Sequence, residues 1–226
     1  MQLLLSLKYI LKYLFKWCAF ILSPPYCEGC GIATTDRFIF CQDCYSKIKP
    51  IVTVQLQVTT KHTAKVFAIS DYVFPLKKLI LAKHISNRLA AEYLGLLSWQ
   101  LSNIKYVEFD VIVPVPLHWS RRIKRGYNQT EVMAEAIVKN AGKPVVSALK
   151  RSKRTEFQFK LDVEEREENI KSCFKLTKKQ EINIVGKNVL LVDDLMTSGA
   201  TIKYAAQELL KANPKTITIL VACRVV

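Results

Sequence analysis

The chain has 226 residues, half of them apolar, with 34 Lys and Arg against 19 Asp and Glu and a formal charge of +15. Such a length and apolar content allow one sizeable domain with a small appendage and exclude a disordered chain. The charge favours anionic partners (phosphates, nucleic acid or a membrane surface), but a genome that encodes many lysines would raise it everywhere, so local clusters must decide.

The first segment, "MQLLLSLKYILKYLFKWCAFILSPP", is apolar but interrupted by Lys8, Lys12 and Lys16 at a spacing of four. On a helix those lysines form one stripe, with Leu4, Leu7, Leu11, Leu14 and Phe15 mostly elsewhere. A signal peptide carries its charges first, and a membrane span needs about 20 residues with few charges. The pattern predicts an amphipathic helix over 1–23, packed on its own protein or, through residues 3–22, docked at a membrane surface. Seven cysteines, an odd number without a clean secretory signal, point to a reducing, cytoplasmic setting, peripheral to the inner membrane if that helix docks there.

Pro24 and Pro25 end the first helix. Residues 26–50 contain Cys27, Cys30, Cys41 and Cys44, spaced C-x2-C-x10-C-x2-C. Two such knuckles supply the four soft ligands of a tetrahedral zinc ion, and a site with all four positions filled by protein is structural rather than catalytic. Gly29 and Gly31, on either side of Cys30, suit a tight knuckle turn. A redox pair or an iron–sulfur cluster is the less economical reading. Residues 51–75 read as strands and 76–102 as helix. "FDVIVPVPLH" (109–118) is a short buried strand that runs into two prolines. A helix follows from "NQTEVMAEAIVKNAGK", with Asn128 and Glu131 as an expected capping box and Gly142 at its far end. Residues 149–172 are polar and aperiodic and suggest a long mobile loop or hairpin. A strand over 189–192, a turn, a helix ended by Asn213-Pro214 and a final strand "TITILVACRVV" complete the chain. Apolar strands alternating with helices predict an α/β fold with a parallel sheet covered on both faces.

The stretch "VLLVDDLMTSGAT" (189–201) carries the most specific chemistry. Ligands of open α/β sheets bind beyond the carboxyl ends of strands, where this turn must lie. The helix N-terminus offers unpaired N–H groups to an anion, Thr197, Ser198 and Thr201 add hydroxyls, and Gly199 allows close approach. That cradle suits a terminal phosphate. Asp193 and Asp194 would repel it and must face sugar hydroxyls, a cation or a developing positive charge. A nucleotide triphosphatase is disfavoured because G-x-x-x-x-G-K-[ST] is absent, and a dinucleotide fold because G-x-G-x-x-G is absent. No G-x-S-x-G elbow marks a hydrolase.

These residues resemble the phosphoribosyl pyrophosphate (PRPP) loop of type I phosphoribosyltransferases, and the wider chain resembles the ComF/GntX family of competence-linked proteins with a double zinc knuckle. "CEGCG" and "CQDC" match that family's ribbon, "VIVPVPLHWSRRIKRGYNQTEVMA" its central strand and basic segment, and Thr155, Gln158, Leu161, Arg166, Asn169 and Phe174 its spaced motif. The resemblance implies a phosphoribosyltransferase-like parallel sheet over 51–226 behind a zinc ribbon over 24–50. It further implies that Thr197, Ser198, Gly199, Ala200 and Thr201 hold the ribose 5-phosphate and that Asp193 and Asp194 contact the 2- and 3-hydroxyls, with Mg²⁺. Arg121, Arg122 and Arg125 would then face pyrophosphate, and 150–172 would cover the site. Phosphoribose would be transferred to an acceptor that the residues do not name.

The basic clusters 121–125 and 150–154, with Trp119, Tyr127 and Phe157 beside them, leave a second class of reading open. In it the fold is retained without catalysis and handles single-stranded DNA alongside a competence helicase or uptake machinery. His118 reads as a polar histidine more readily than as a site group, and Lys83 as a solvent-exposed or salt-bridged lysine. Cys18, Cys173 and Cys223 read as core residues.

Overall fold

The computed structural model describes residues 24–34, 38–82, 87–152 and 173–225. The expected N-terminal helix (1–23), Lys83, and most of the expected cover (153–172) with Thr155, Gln158, Leu161, Arg166 and Asn169 lie outside the described residues. Two compact units are present, Met1–Lys47 and Ile48–Val226. No helix among the described residues is long and apolar enough to cross a membrane.

The described part of the small unit is built on hydrogen-bonded turns rather than long elements. Tyr26 and Ala33 form an antiparallel bridge. Inside it the Gly31 N–H donates to the Cys27 carbonyl at 2.9 Å. Gly31 is left-handed at φ 78°, a conformation a side chain would resist. A short helix α1 (Gln42–Ser46) follows, with Cys41 at its N-cap.

The large unit contains β1 (Val54–Gln57), β2 (Thr63–Asp71), α2 (Leu76–Ala82), α3 (Arg88–Leu101), a 3-10 turn (Asn103–Tyr106) and β3 (Val111–Pro114). These are followed by α4 (Trp119–Arg125), α5 (Gln129–Ala141), β4 (Leu149–Arg151), β5 (Phe174–Leu176), α6 (Lys178–Glu181), β6 (Asn188–Met196), α7 (Ala200–Leu210) and β7 (Thr216–Arg224). The main sheet runs β1-β2-β7-β6-β3. Its β2, β7, β6 and β3 are parallel, and β1 is an antiparallel edge. β4 and β5 pair separately as an antiparallel ribbon, the base from which 153–172 departs.

The apolar runs read from the sequence explain the layers. Val189, Leu190, Leu191 and Val192 of β6 are all fully buried, so both faces of this strand are covered. Val189 and Leu191 join the α7 residues Ile202, Ala205, Ala206 and Leu209 in one core cluster. On the opposite face α3 and α5 contact the sheet and pack on each other. The span expected as one helix over 76–102 contains α2 and α3, and α3 begins where the Asn87 side chain accepts the Ala90 N–H at 3.1 Å.

The expected capping box at α5 does not form. Asn128 occupies the N-cap by backbone conformation, but its side chain makes no cap bond. It donates instead to the Val115 carbonyl at 3.3 Å, which also accepts from Thr130 Oγ1 at 2.6 Å. That donation turns the Asn128 amide toward the end of β3, and its Oδ1 accepts from Thr130 Oγ1 at 2.9 Å instead of from a helix N–H. Glu131 is held by Arg122 at 3.1 Å. Gly142 does close α5 in the left-handed conformation, donating to the Val138 carbonyl.

The α3–α5 contact depends on Gly95. A Cβ there would lie 2.5 Å from the Met133 carbonyl oxygen and 2.8 Å from Ala136 Cβ. Replacing a helical glycine with alanine ordinarily stabilises by about 1 kcal/mol, whereas forcing atoms into a packed interface costs about 1–3 kcal/mol. Gly95→Ala is therefore expected to lower stability despite its better helix propensity, read as a lower midpoint in urea unfolding with an unchanged slope.

Candidate functional site

Parallel strands β2, β7, β6 and β3 all end at one edge of the sheet, so the residues after them converge there. At its centre β6 runs further than the sequence indicated. The ladder with β7 continues past Asp193 to the pair Met196 and Arg224, so the acids lie within the strand rather than in a turn after it. Side chains alternate along a strand. Asp193 therefore continues the row of Val189 and Leu191 on the α7 side, and Asp194 the opposite row. Asp193 is buried, at 8% exposure, and its Oδ1 accepts the Asp194 N–H at 2.8 Å. Asp194 is half-buried.

The turn from β6 to α7 follows directly. Thr197 and Ser198 are exposed, Ala200 and Thr201 half-buried, and Gly199 buried. Gly199 caps α7 in the left-handed conformation at φ 77°. A Cβ at this position would meet Leu56 Cδ1 of β1 at 3.2 Å. Backbone geometry and packing thus both call for glycine, and the turn stays narrow against the edge strand. The Ser198 hydroxyl lies 3.5 Å from the Ala200 N–H.

The basic segment is a helix rather than an open turn. Val115 continues the β3 pairing by donating to the Val192 carbonyl at 2.9 Å, and α4 begins four residues later. Buried His118 is its N-cap, accepting the Ser120 N–H at 3.3 Å. Arg121 and Arg125, four apart, share one side of α4 and are half-buried. Arg122 is exposed and paired with Glu131. Trp119 and Ile123 stand out at 63% and 75% exposure. The sheet order places α4 beside β6 on the side away from β7.

Arg151 belonged to an expected basic surface, 150–154. In the described part of that cluster Lys150 is exposed, but Arg151 is half-buried and lies over the Phe174 ring at 5.4 Å. Burial pulls its guanidinium down from the ordinary range, opposed by Cys173 and by the carboxylate of Asp193. A basic residue near the buried acid was not legible in a run of five polar residues, because only the β4–β5 pairing brings it inward.

At the other end of the edge, Arg224 Nε donates to Asp71 Oδ1 at 2.9 Å, and the Tyr72 N–H donates to the Arg224 carbonyl at 2.7 Å. Burial, then Cys223 and Asp194, push the Tyr72 phenol up. Tyr72 was absent from the residues singled out by sequence; nothing in "SDYVFP" marks it without the strand order.

In the small unit the sulfur atoms of Cys27, Cys30, Cys41 and Cys44 all lie within 4.8 Å of one another. Cys30 Sγ and Cys41 Sγ are 3.7 Å apart. Zinc–sulfur bonds of about 2.3 Å in a tetrahedron set neighbouring sulfurs about 3.8 Å apart, so the donor set fits such an ion. The Cys41 N–H donates to Cys27 Sγ at 3.2 Å, as backbone amides do to bound thiolates. Burial raises the Cys27 thiol, but the N–H groups of Cys41, Cys30 and Gly29 outweigh it and leave it at about 6. Burial and the surrounding thiols push Cys44 up to about 12.

The phosphoribosyl transferase domain family matches residues 79–225. The "DNA utilization protein YhgH" of Shigella flexneri is 27% identical over 205 residues, covering 88% of this chain and 83% of that protein. "Competence protein F" of Haemophilus influenzae is 28% identical over 207 residues, covering 88% and 84%. Among solved structures, glutamine PRPP amidotransferase from B. subtilis aligns with a TM-score of 0.42 at 21% identity, over 59% of this chain and 26% of that one.

The thiol cluster yields a direct expectation. Purified protein should carry one zinc per chain by elemental analysis, and Cys44→Ser should reduce this several-fold and shift protease cleavage into residues 24–47, since a small unit with bound metal loses folding energy with it.

Proposed function

Because the chain belongs to the phosphoribosyl transferase domain family, we propose that it is a competence-linked member that binds PRPP with Mg²⁺ and transfers phosphoribose to an acceptor. The observation that carries this reading is the β6–α7 turn. Exposed Thr197 and Ser198 precede a helix N-terminus, closed by a left-handed Gly199, directly after two carboxylates at the carboxyl edge of the sheet. In this reading Thr197, Ser198, Gly199, Ala200 and Thr201 hold the 5-phosphate through N–H and hydroxyl donors.

Asp193 and Asp194 face the ribose. Leaving the strand on opposite sides, they serve different atoms. Two carboxylates beside substrate phosphates suit a hard cation such as Mg²⁺, which would neutralise charge on the departing pyrophosphate. Arg121 and Arg125 take up pyrophosphate from the β3 side, and Arg122 joins them by exchanging its Glu131 partner. In the reaction the bond from the anomeric carbon to the pyrophosphate oxygen breaks with its electron pair as the acceptor's bond forms. Positive charge grows on the sugar, where the carboxylates stabilise it, and negative charge grows where the arginines lie. Zinc at Cys27, Cys30, Cys41 and Cys44 is structural.

Calorimetric titration of PRPP with Mg²⁺ into zinc-loaded protein, in phosphate-free buffer, tests this. Saturable binding is expected, with at least a tenfold loss in the Asp193→Asn/Asp194→Asn variant. Folded protein that gives neither heat nor thermal stabilisation would exclude the reading.

A second reading, single-stranded DNA binding, is favoured by one observation. Exposed Trp119 and Ile123 stand beside exposed Arg122 and Lys124 on α4, a stacking group among cations. Affinity for an oligothymidylate should then fall with salt with a log–log slope of about −2 for three phosphate contacts. Trp119→Ala should weaken binding several-fold without changing that slope. A salt-independent affinity would rule DNA out at this helix.

A further inference from the structure

The main sheet has two edges, and the chain treats them differently. At the β3 edge residues 144–146 lie alongside. The Ile112 N–H donates to the Pro144 carbonyl at 2.9 Å, and the Val146 N–H donates to the Ile112 carbonyl at 2.8 Å. At the opposite edge β1 pairs with β2 alone. The Val58 N–H donates to the His62 carbonyl at 2.9 Å, so Val58 is turned toward β2. Residues of an antiparallel pair alternate in this respect. Leu56 and Val54 are therefore turned inward too, and the backbone N–H and C=O groups of Thr53, Gln55 and Gln57 point outward. Among the described residues, no backbone hydrogen bond reaches these three from outside the β1–β2 pair.

Such an edge is ordinarily blunted by lysine, proline or an inward-pointing charge. Here residues 51–60, "IVTVQLQVTT", contain no charged side chain and no proline, although 23% of the chain is charged and ten residues would carry about two charges. Charge resumes at Lys49 and Lys61 on either side. In a molecule of net charge +15, this run lets two copies meet strand to strand with no like charges opposed.

The run is also self-complementary. A two-fold axis through Gln55 sets Gln55 opposite Gln55, Thr53 opposite Gln57, Val54 opposite Leu56 and Val52 opposite Val58. Outward-turned residues then face outward-turned residues and form about six backbone hydrogen bonds. Polar side chains meet on the face where Gln55 and Gln57 are exposed. On the other face Val54 and Leu56, packed against the core cluster, continue its apolar row across the axis. Val52, 83% exposed, gains an apolar neighbour. A slip of one residue would set outward groups against inward ones and polar side chains against apolar ones.

We propose that β1 is an interface between two copies of this chain, joined by antiparallel β1–β1 pairing about Gln55 into one continuous sheet. A strand pair this short buries less than about 1,200 Å², the class of weak and reversible interfaces, so the dimer forms and dissociates with concentration.

Sedimentation equilibrium of the zinc-loaded full chain reads the association. The wild type should reach twice the chain mass at about 100 µM and return to monomer on dilution. Gln55→Lys opposes two lysines on the axis and should weaken association at least tenfold, with an unchanged circular dichroism spectrum. Mild oxidation reads the register. Residues opposed in a hydrogen-bonded pair have Cα atoms about 5.5 Å apart, within disulfide range. Gln55→Cys should therefore link to itself. Thr53→Cys, about 13 Å or more from its own copy, should not exceed the background that the native cysteines give in the wild type. A wild type that stays monomeric at about 100 µM, association unmoved by Gln55→Lys, or Thr53→Cys linking as readily as Gln55→Cys would each overturn the proposal.

Discussion

The parallel hydrogen-bond ladders that hold β6 between β7 and β3 determine where everything chemical in the large unit can be. Four fully buried residues, Val189, Leu190, Leu191 and Val192, fix the strand's register. Each contributes about 1.5–3 kcal/mol through burial, and a slip of one residue would turn the whole row over. That rigidity is what permits a carboxylate as buried as Asp193 at the strand's end. An acid with so little water around it needs fixed donors and a counter-charge. The Asp194 N–H supplies one donor, and Arg151 contributes opposite charge from the β4–β5 ribbon.

What the sequence revealed, and what it concealed, divides by range of interaction. The cysteine knuckles and the run from Val189 to Thr201 are local: spacing alone puts their groups together, and the structure gathers the four thiols and closes the turn with a left-handed Gly199. Where a distant group intervened, local rules gave way. Asn128 and Glu131 have the residues of a capping box, but the Val115 carbonyl and Arg122 claim their side chains. The acids were expected beyond the strand, yet β7 is long enough to pair with β6 as far as Met196. Arg151 sat in a run that read as a charged surface, and Tyr72 in one that read as nothing in particular. Both became legible only through the pairing of β4 with β5 and of β2 with β7.

The two units solve the problem of stability differently. The large one buries apolar side chains on both faces of a sheet. Among the described residues of the small one within Tyr26–Lys47, Cys27, Phe40 and Cys44 are buried but Tyr26, Ile32, Phe38 and Tyr45 are exposed. Segments this short seldom fold on a hydrophobic core alone. A metal ion among the four thiolates would supply folding free energy beyond what these few buried residues contribute.

Helix α7 touches more than the turn at its start. Gly199 stands at its N-cap against Leu56 of the edge strand, and near its other end Glu208 Oε1 accepts the Leu176 N–H of β5 at 3.0 Å. Eight or nine helical residues separate the two, a strut about 13 Å long. One end meets the β6–α7 turn and the other the β5 strand of the ribbon. A helix is stiff along its axis, so α7 holds these two contacts at a fixed separation. The turn after the acids and the β4–β5 ribbon are thereby joined through a single rod, with no chain of intermediary side chains required.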